Sequence, residues 1–504
     1  MSGALASCTR GLRASKKNRL RGIGAIGIFH LLRAVLPQQV MSRSFFKEGK
    51  NLQTLARRYS VSRKVATSSF TVGIRRRASA WIVRVVVSIF ALAMLSHAPS
   101  ALATTYYVSA TGRDSNSGTS TTAPFLTITK AANLTKPGDI VNVMNGTYGP
   151  FIISHSGSPS GGYITYRAYP GHHPTVLKNG STWDGIQLWN SAGGPSYIVV
   201  DGFTILGNAK SITVTQARSA LDKNNTTNGN CISGGSSVHH VAIRNNNVSY
   251  CPGAGMMFTG DYVYIYSNVI HHNSFWSPLD TSGITVQGAN SDGSTAAKIF
   301  VYNNVLYDNQ NYICNKYQTN PCKITDGEGI IVDSNKSSGY RGRIQIYNNI
   351  IYNNGGSGIS VNRSQHVDIF NNTTYKNNMS ATEPAPFTAH TVGGEITATQ
   401  SNDVRVLNNI HYGNSSVPMI YAGLTSVTSL IWDYNILFNG IGTAPRGAHD
   451  LALNPLFVPS PPFNFHLQTG SRAIGSGTSI LVPKYDFDGN LRSTSSVDRG
   501  AYRH

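Results

Sequence analysis

Ile299-Phe-Val-Tyr-Asn-Asn304, Ile344-Gln-Ile-Tyr-Asn-Asn349 and Val367-Asp-Ile-Phe-Asn-Asn372 decide the fold. Each reads apolar-x-apolar-x-x-Asn. Strict alternation puts successive side chains on opposite faces of an extended strand. The same pattern stands at Val241–Asn246, Val263–Asn268, Val404–Asn409 and Leu430–Asn435. Steps between the closing asparagines are 22, 36, 45, 23, 37 and 26 residues. A short unit lengthened by insertions is the mark of a solenoid, in which no unit buries its apolar face alone. Asparagine at one corner of every coil predicts a ladder of side-chain amides. It also tolerates the left-handed backbone of a sharp corner. No unit holds a helix or the spacing of a leucine-rich repeat. The expected fold is all-β, a single-stranded right-handed parallel β-helix.

A second short strand precedes the Asn strand, at Gly255–Phe258, Gly283–Val286, Gly329–Val332 and Gly358–Val361. Stacked, these make another parallel sheet. Insertions fall upstream of it, at Asn273–Ser282, Asn309–Glu328 and Lys376–Gly394, and are expected to rise as the walls of a groove. Long loops in a compact fold are commonly functional. An open solenoid exposes apolar rungs and unpaired edges, so both ends need caps. Thr127–Leu134 reads as a short amphipathic helix that plugs the first coil. Asn454–Phe457 and Phe465–Leu467 read as a capping segment that runs on to Tyr502. The expected organisation is a basic leader over 1–103, an N-terminal cap module over 104–190, β-helix repeats over 191–440 and a C-terminal capping segment over 441–504.

Only 13% of the 504 residues are charged and 40% are hydrophobic, which excludes disorder, a coiled coil and a helical bundle. The net charge of +20 sits almost wholly in the leader. Residues 1–103 hold 18 Lys and Arg against the single acid Glu48; the rest holds 24 basic and 21 acidic residues. A nearly neutral body gives no electrostatic case for a nucleic-acid partner. Arg75–Arg77, the apolar run Val85–Leu95 and Ala101-Leu-Ala103 have the order of a secretory signal cleaved after Ala103. That run is too short for a bilayer, which takes about 20 residues. The mature chain is expected to be exported, monomeric and free of the membrane. Outside the cell its four cysteines, Cys231, Cys251, Cys314 and Cys322, favour two disulfides. The sequence-local pairing is Cys231–Cys251 with Cys314–Cys322.

Tyr106-Tyr-Val108, Gly112-x-Asp-x-Asn-x-Gly-Thr119, Pro124-Phe125, Pro137-Gly-Asp139, Gly146-Thr-Tyr148 and Ala168-Tyr-Pro-Gly171 form a series. It resembles the first segment of pectate lyases of the ninth polysaccharide lyase family (pectate lyase L type), within the pectate-lyase-like right-handed β-helix proteins. Asn454-Pro-Leu-Phe457, Asp486-x-Asp-Gly489 and Asp498-Arg-Gly-Ala-Tyr502 resemble the segment that closes such exported proteins. The resemblance implies β-elimination on an acidic, uronate-containing polysaccharide, assisted by Ca²⁺. In those lyases the base is a Lys pointing outward from the groove sheet. The matching positions here are Met257, Thr285, Ile331 and Ser360, none of them a base.

Asp326, Glu328 and Asp333 flank one groove strand, and Asp280 holds the equivalent place one coil earlier. Oxygen ligands from adjacent turns suit Ca²⁺, so these four are the expected metal set. Asp at strand ends also caps turns. Asp326 and Glu328, with Lys336 and Arg363 as basic partners, are the expected catalytic residues. Trp276, Tyr312, Tyr317 and Lys323 are expected to hold the substrate. His239, His240, His271 and His272 are assigned to rung faces. Two alternatives stay open. One is a glycoside hydrolase using two of the three carboxyls at about 6.5–9.5 Å separation. The other is a non-catalytic, glycan-binding β-helix.

Overall fold

The structure is a computed structural model that describes residues 102–180, 182–220, 225–279, 281–316, 324, 326–379, 393–415, 419, 426–441 and 447–504. The expected signal segment, Asp280, Tyr317, Cys322 and Lys323 lie outside the described residues. Three parallel sheets of 11, 8 and 10 strands wind into a right-handed β-helix. One coil shows the plan. Met256–Phe258 belongs to the eight-stranded groove sheet, Asp261–Tyr266 to the long sheet and Val269–His271 to the ten-stranded rear sheet. The next coil pairs directly above it, Met256 with Ile284, Ile265 with Val301 and Ile270 with Leu306.

The rear sheet is a finding beyond the two strands per coil read from sequence. The apolar residues after each ladder asparagine are a strand of their own, turned away by the corner before it. The corner residue in the left-handed region precedes the ladder asparagine: Asn245, Ser267, Asn303, Asn348, Asn371 and Asn408. The ladder residue itself turns inward. From Asn246 through Asn268, Asn304, Asn349, Asn372 and Asn409 to Asn435, each Nδ2 donates to the next Oδ1 at 2.9–3.0 Å. The receiving Oδ1 also accepts the previous asparagine's backbone N–H. A second ladder, Asn273–Asn309–Asn354–Asn377, runs along the corner between rear and groove sheets. It starts where Asn273 Oδ1 accepts the Cys251 N–H at 3.0 Å. The Cys231–Cys251 disulfide sits at that corner, as expected, and Cys314 is disulfide-bonded as well.

Between the sheets, like residues stack in columns. Ile243, Ile265, Val301, Ile346, Ile369 and Val406 are all fully buried. Parallel pairing starts at Thr105–Val108 and runs without a break through residues 104–190. The helix there, Ile128–Ala132, is capped by Thr127, whose hydroxyl oxygen accepts the Lys130 N–H. Asp114 accepts the N–H groups of Leu126 and Thr127 at 2.9 Å. Gly118 takes a φ of +69° with the Phe125 ring where a side chain would stand. The N-terminal motif is thus structural.

The C-terminal segment does more than plug the end. Asp450 closes the first ladder by accepting the Asn435 N–H at 2.7 Å. The chain then straps back along the outside of the coils. The outward corner amides of Asn408, Asn371 and Asn348 donate to the carbonyls of Thr478, Asp498 and Tyr485. Buried Arg499 and Arg492 pin this strap through the carbonyls of Asn435 and Ala501.

Asn349→Ala leaves both N–H donors of Asn304 without their acceptor. At about 1–3 kcal/mol for each buried unsatisfied group, the expected loss is about 4 kcal/mol, read from the urea midpoint. Asn245→Gly keeps the left-handed corner and removes a bond to Asp201 at the surface; its expected loss is under about 0.5 kcal/mol. Equal losses in the two variants would show that the ladder does not hold the coils.

Candidate functional site

On the outward face of the groove sheet, Gln187, Ser233, Met257, Thr285, Ile331, Ser360 and Thr397 stack one per coil. The four positions matched to the lyase base do share this row. Beside it, just upstream of the strands, stand Asp184, Asn230, Ala254, Ser282, Glu328 and Ser357. Side chains bond across the two rows and, between Ser282 and Glu328, along the upstream one. Ser233 Oγ donates to Asp184 Oδ2 at 2.5 Å, Ser282 Oγ to Glu328 Oε2 at 2.6 Å, and Ser357 and Thr397 share a hydroxyl contact of 2.7 Å. The outward row is part-exposed at Gln187, Ser233 and Met257 and buried from Thr285 onward.

The described parts of the first two insertions stack on one another, and residues 380–392 of the third lie outside the described residues. Residues 273–278 and 310–316 carry the parallel ladder outward, with N–H groups of Gln310, Tyr312 and Lys316 bonding carbonyls of Asn273, Phe275 and Pro278 at 3.0 Å. A further insertion, with helices Val214–Ala220 and Asn225–Asn228, lies at the same corner two coils before residues 273–278. Trp276 donates its indole N–H to Ala209 O at 2.9 Å and packs with Ile212, Ala217 and Ile313. Tyr312 packs against Phe275 and Trp276, at ring separations of 5.2 and 5.9 Å. Trp276 and Tyr312, two of the residues expected to hold the substrate, pack these layers together.

Asp326 and Glu328 are both buried at the upstream edge of strand Ile330–Asp333. The backbone of Gly356 packs against Glu328; a Cβ there would lie 3.0 Å from the carboxyl carbon. Asp333 belongs to the opposite edge. It accepts from Asn362 Nδ2 at 3.0 Å and stands 3.6 Å from the half-exposed Arg363. Lys336 is exposed farther along, its Nζ 3.4 Å from the carbonyl of Gln400. Glu328 and Asp333 are separated by five residues of nearly extended chain, about 16 Å. The structure therefore divides the expected catalytic residues between two edges of the sheet. Among the described residues no three His, Cys, Asp or Glu side chains gather as a metal site. Of the four residues expected to bind Ca²⁺, Asp326 and Glu328 share one edge, Asp333 stands at the other, and Asp280 lies outside the described residues.

Several polar groups were not read from sequence. Lys178 and Asp184 are buried together near the first groove strands. Burial pushes the Lys178 ammonium down to about 8 against the attraction of Asp184, and pushes the Asp184 carboxyl up. Lys298 Nζ is buried 2.6 Å from Asp261, which also accepts from Tyr340 at 3.0 Å. Glu395 ends the second ladder, accepting the N–H and Nδ2 of Asn377 at 2.8 and 2.7 Å. Burial pushes its carboxyl up to about 7. Next to it, Thr374 shares a 2.9 Å contact with the buried His411, whose Nε2 has no partner. The signal for both was a broken column. Glu395 stands where other coils place Gly283, Gly329 and Gly358, and His411 where they place Ile270, Leu306 and Ile351.

Residues 110–152 match a family described as a protein of unknown function (DUF1565). Among solved structures, pectate lyase Pel9A is similar over 80% of this chain and 98% of its own, at 15% identity and a TM-score of 0.45. The complex of XylC with xylose is similar over 79% and 98%, at 13% identity and a TM-score of 0.40. An alginate lyase from Paenibacillus sp. str. FPU-7 is similar over 64% and 96%, at 14% identity and a TM-score of 0.34. No curated protein sequence matches the chain.

Because the fold favours the neutral form of Glu395, its stabilising contribution is complete below its ordinary value of 4.5 and is lost as pH rises through about 7. The expected outcome is that Glu395→Gln reduces the fall in melting temperature from pH 5 to pH 8 relative to wild type. Identical pH slopes for the two proteins would contradict it.

Proposed function

We propose that this chain is exported and cleaves an acidic, uronate-containing polysaccharide by β-elimination on the outward face of the groove sheet. The observation that supports this reading is the pair Asp326 and Glu328. Two carboxylates are buried at the edge of a strip that otherwise carries hydroxyl, amide and apolar groups. The places equivalent to Glu328 in the adjoining coils are Ser282 and Ser357, so a carboxylate there is not repeated from one coil to the next. In β-elimination the C5 proton of a uronate is removed, the C4–O bond breaks, and an unsaturated sugar is left at the new end. Glu328 is assigned the proton abstraction and Asp326 its support. Arg363, loosely paired and more than half exposed, suits two-pronged binding of a uronate carboxylate along the polymer.

Export is supported by the order of the leader and by a disulfide in the body. No helix among the described residues is long and apolar enough to cross a membrane. Asp326 and Glu328 alone are too few for Ca²⁺, which takes 6–8 oxygens, and a chelator arm tests its need. One observation favours a second reading, glycoside hydrolysis. The described outward row carries no Lys or Arg, while a carboxyl pair is present.

The test incubates the mature chain with uronate polysaccharides, with and without chelator. It follows both absorbance from unsaturated ends and new reducing ends. Asp326→Asn with Glu328→Gln is expected to lower the rate at least about 100-fold, the scale of a lost acid–base group, with an unchanged circular dichroism spectrum. Reducing ends without the absorbance indicate hydrolysis. Neither signal, with glycan still bound, indicates a binding protein. Full activity in the folded double variant removes the pair from the site.

A further inference from the structure

Among the described residues, the outward row of the groove sheet is part-exposed over its first coils. Ile152, Gln187, Ser233 and Met257 stack there in register. Ile152 is 40% exposed, whereas Thr285, the next place after Met257, is 3% exposed. Two tryptophans flank this open floor in a single coil. Trp183 and Trp189 stand just before and just after strand Ile186–Leu188, 42% and 51% exposed. One residue beyond the pair Leu188–Gly234, the place above Trp189 falls to Gly235. No side chain can grow there, because a Cβ on Gly235 would lie 2.5 Å from the Gly193 carbonyl oxygen. The place paired with Trp189 in the next coil therefore carries no side chain, and Trp189 keeps 51% of its surface exposed.

The chemistry of the floor narrows the occupant. Its groups are an amide, a hydroxyl and apolar carbons. The adjoining carboxylate, Asp184, is buried and accepts from Ser233 and from the Asn230 N–H. A polyanion has no charged partner in the floor. A protein partner needs about 800 Å² on each side, and a strip of three-residue strands is only about 10 Å wide. A narrow, uncharged track beside an exposed indole suits a chain of sugar rings, whose C–H faces stack on aromatic rings and whose hydroxyls pair with amides. We propose that this open stretch is a sugar-binding track. One ring stacks on Trp189, and the chain continues over Gln187, Ser233 and Met257 toward Glu328. The proposal rests on the reading that a polysaccharide occupies the groove sheet, and adds that it is gripped by ring faces rather than by charge.

The test uses the mature chain with Trp189→Ala, Trp183→Ala and Trp189→Phe. Binding to polygalacturonate and to neutral xylan is read by retardation in gels, at low salt and at about 0.5 M NaCl, where the Debye length falls to about 4 Å, and cleavage is measured separately. Trp189→Ala is expected to weaken binding about tenfold, the scale of one aromatic contact. It should raise KM with kcat within about twofold, Trp189→Phe should restore part of the loss, and salt should change binding little. Unchanged binding and KM in a folded Trp189→Ala overturns the track while cleavage still stands. Binding that depends on Trp189 without any cleavage supports the track and sinks the lyase reading. A wild-type chain that binds neither polymer overturns both.

Discussion

A buried corner must satisfy its backbone N–H groups, and every coil of this chain makes such corners. The amide of asparagine solves this with one side chain, because it carries an acceptor and two donors. Its oxygen takes the N–H of the coil before, and its nitrogen passes a bond to the coil after. Passing bonds in one direction gives the ladder a polarity. Its last nitrogen faces forward with donors to spare, and an asparagine beyond it would need a further coil. Both ladders end instead on a carboxylate: Asp450 after Asn435, and Glu395 after Asn377. A negatively chargeable acceptor at the donor end of aligned amides follows the same electrostatics as an acid at a helix N-terminus. Arg499 completes the closure by bonding the carbonyl of Asn435 from the returning strap.

The same corner explains why the sequence was informative about the coils. The step between asparagines measures a coil plus its insertion, so Asn246 to Asn435 could be aligned without a structure. The double Asn-Asn motif held more than that reading took from it. Its first residue takes the left-handed turn and points outward, and at Asn348, Asn371 and Asn408 that outward amide receives the C-terminal strap. The contacts of Asp498 and Arg492 with these coils span more than a hundred residues. No local pattern marks them: Asp498 offers only its backbone carbonyl to Asn371, and Arg492 donates to the Asn348 side-chain oxygen 144 residues away.

The candidate site was legible in its outward row and less so in its edges. Period-two alternation places Met257, Thr285, Ile331 and Ser360 on one face, and register confirms them in one line. It does not say how far apart the two ends of a strand are. Glu328 and Asp333 look adjacent in the chain and lie at opposite edges in space. Nor does alternation distinguish an aromatic residue that meets sugar from one that meets another loop. Trp276 was the more conspicuous tryptophan, in an insertion beside the groove, yet its indole is bonded to Ala209. Trp189 ends an unremarked short strand and keeps half its surface in water.

The four insertions share one corner for a physical reason. At the rear-to-groove corner the ladder asparagine fixes the chain just before it departs, through Asn273 and Asn309, and parallel strand pairing fixes it again on return. Between two such clamps the cost of a longer loop grows only as the logarithm of its length, about 0.6 kcal/mol for each doubling. The coil therefore tolerates insertions there more readily than within its short strands, where one extra residue would turn apolar columns outward. The layered insertions then bond to one another, Gln310 to Asn273 and Tyr312 to Phe275, and so acquire order that a lone loop would lack. Side chains on these layers and on the adjoining outward row are not part of the interior columns. Chemistry is free to differ there from coil to coil, while the ladders and the columns must repeat.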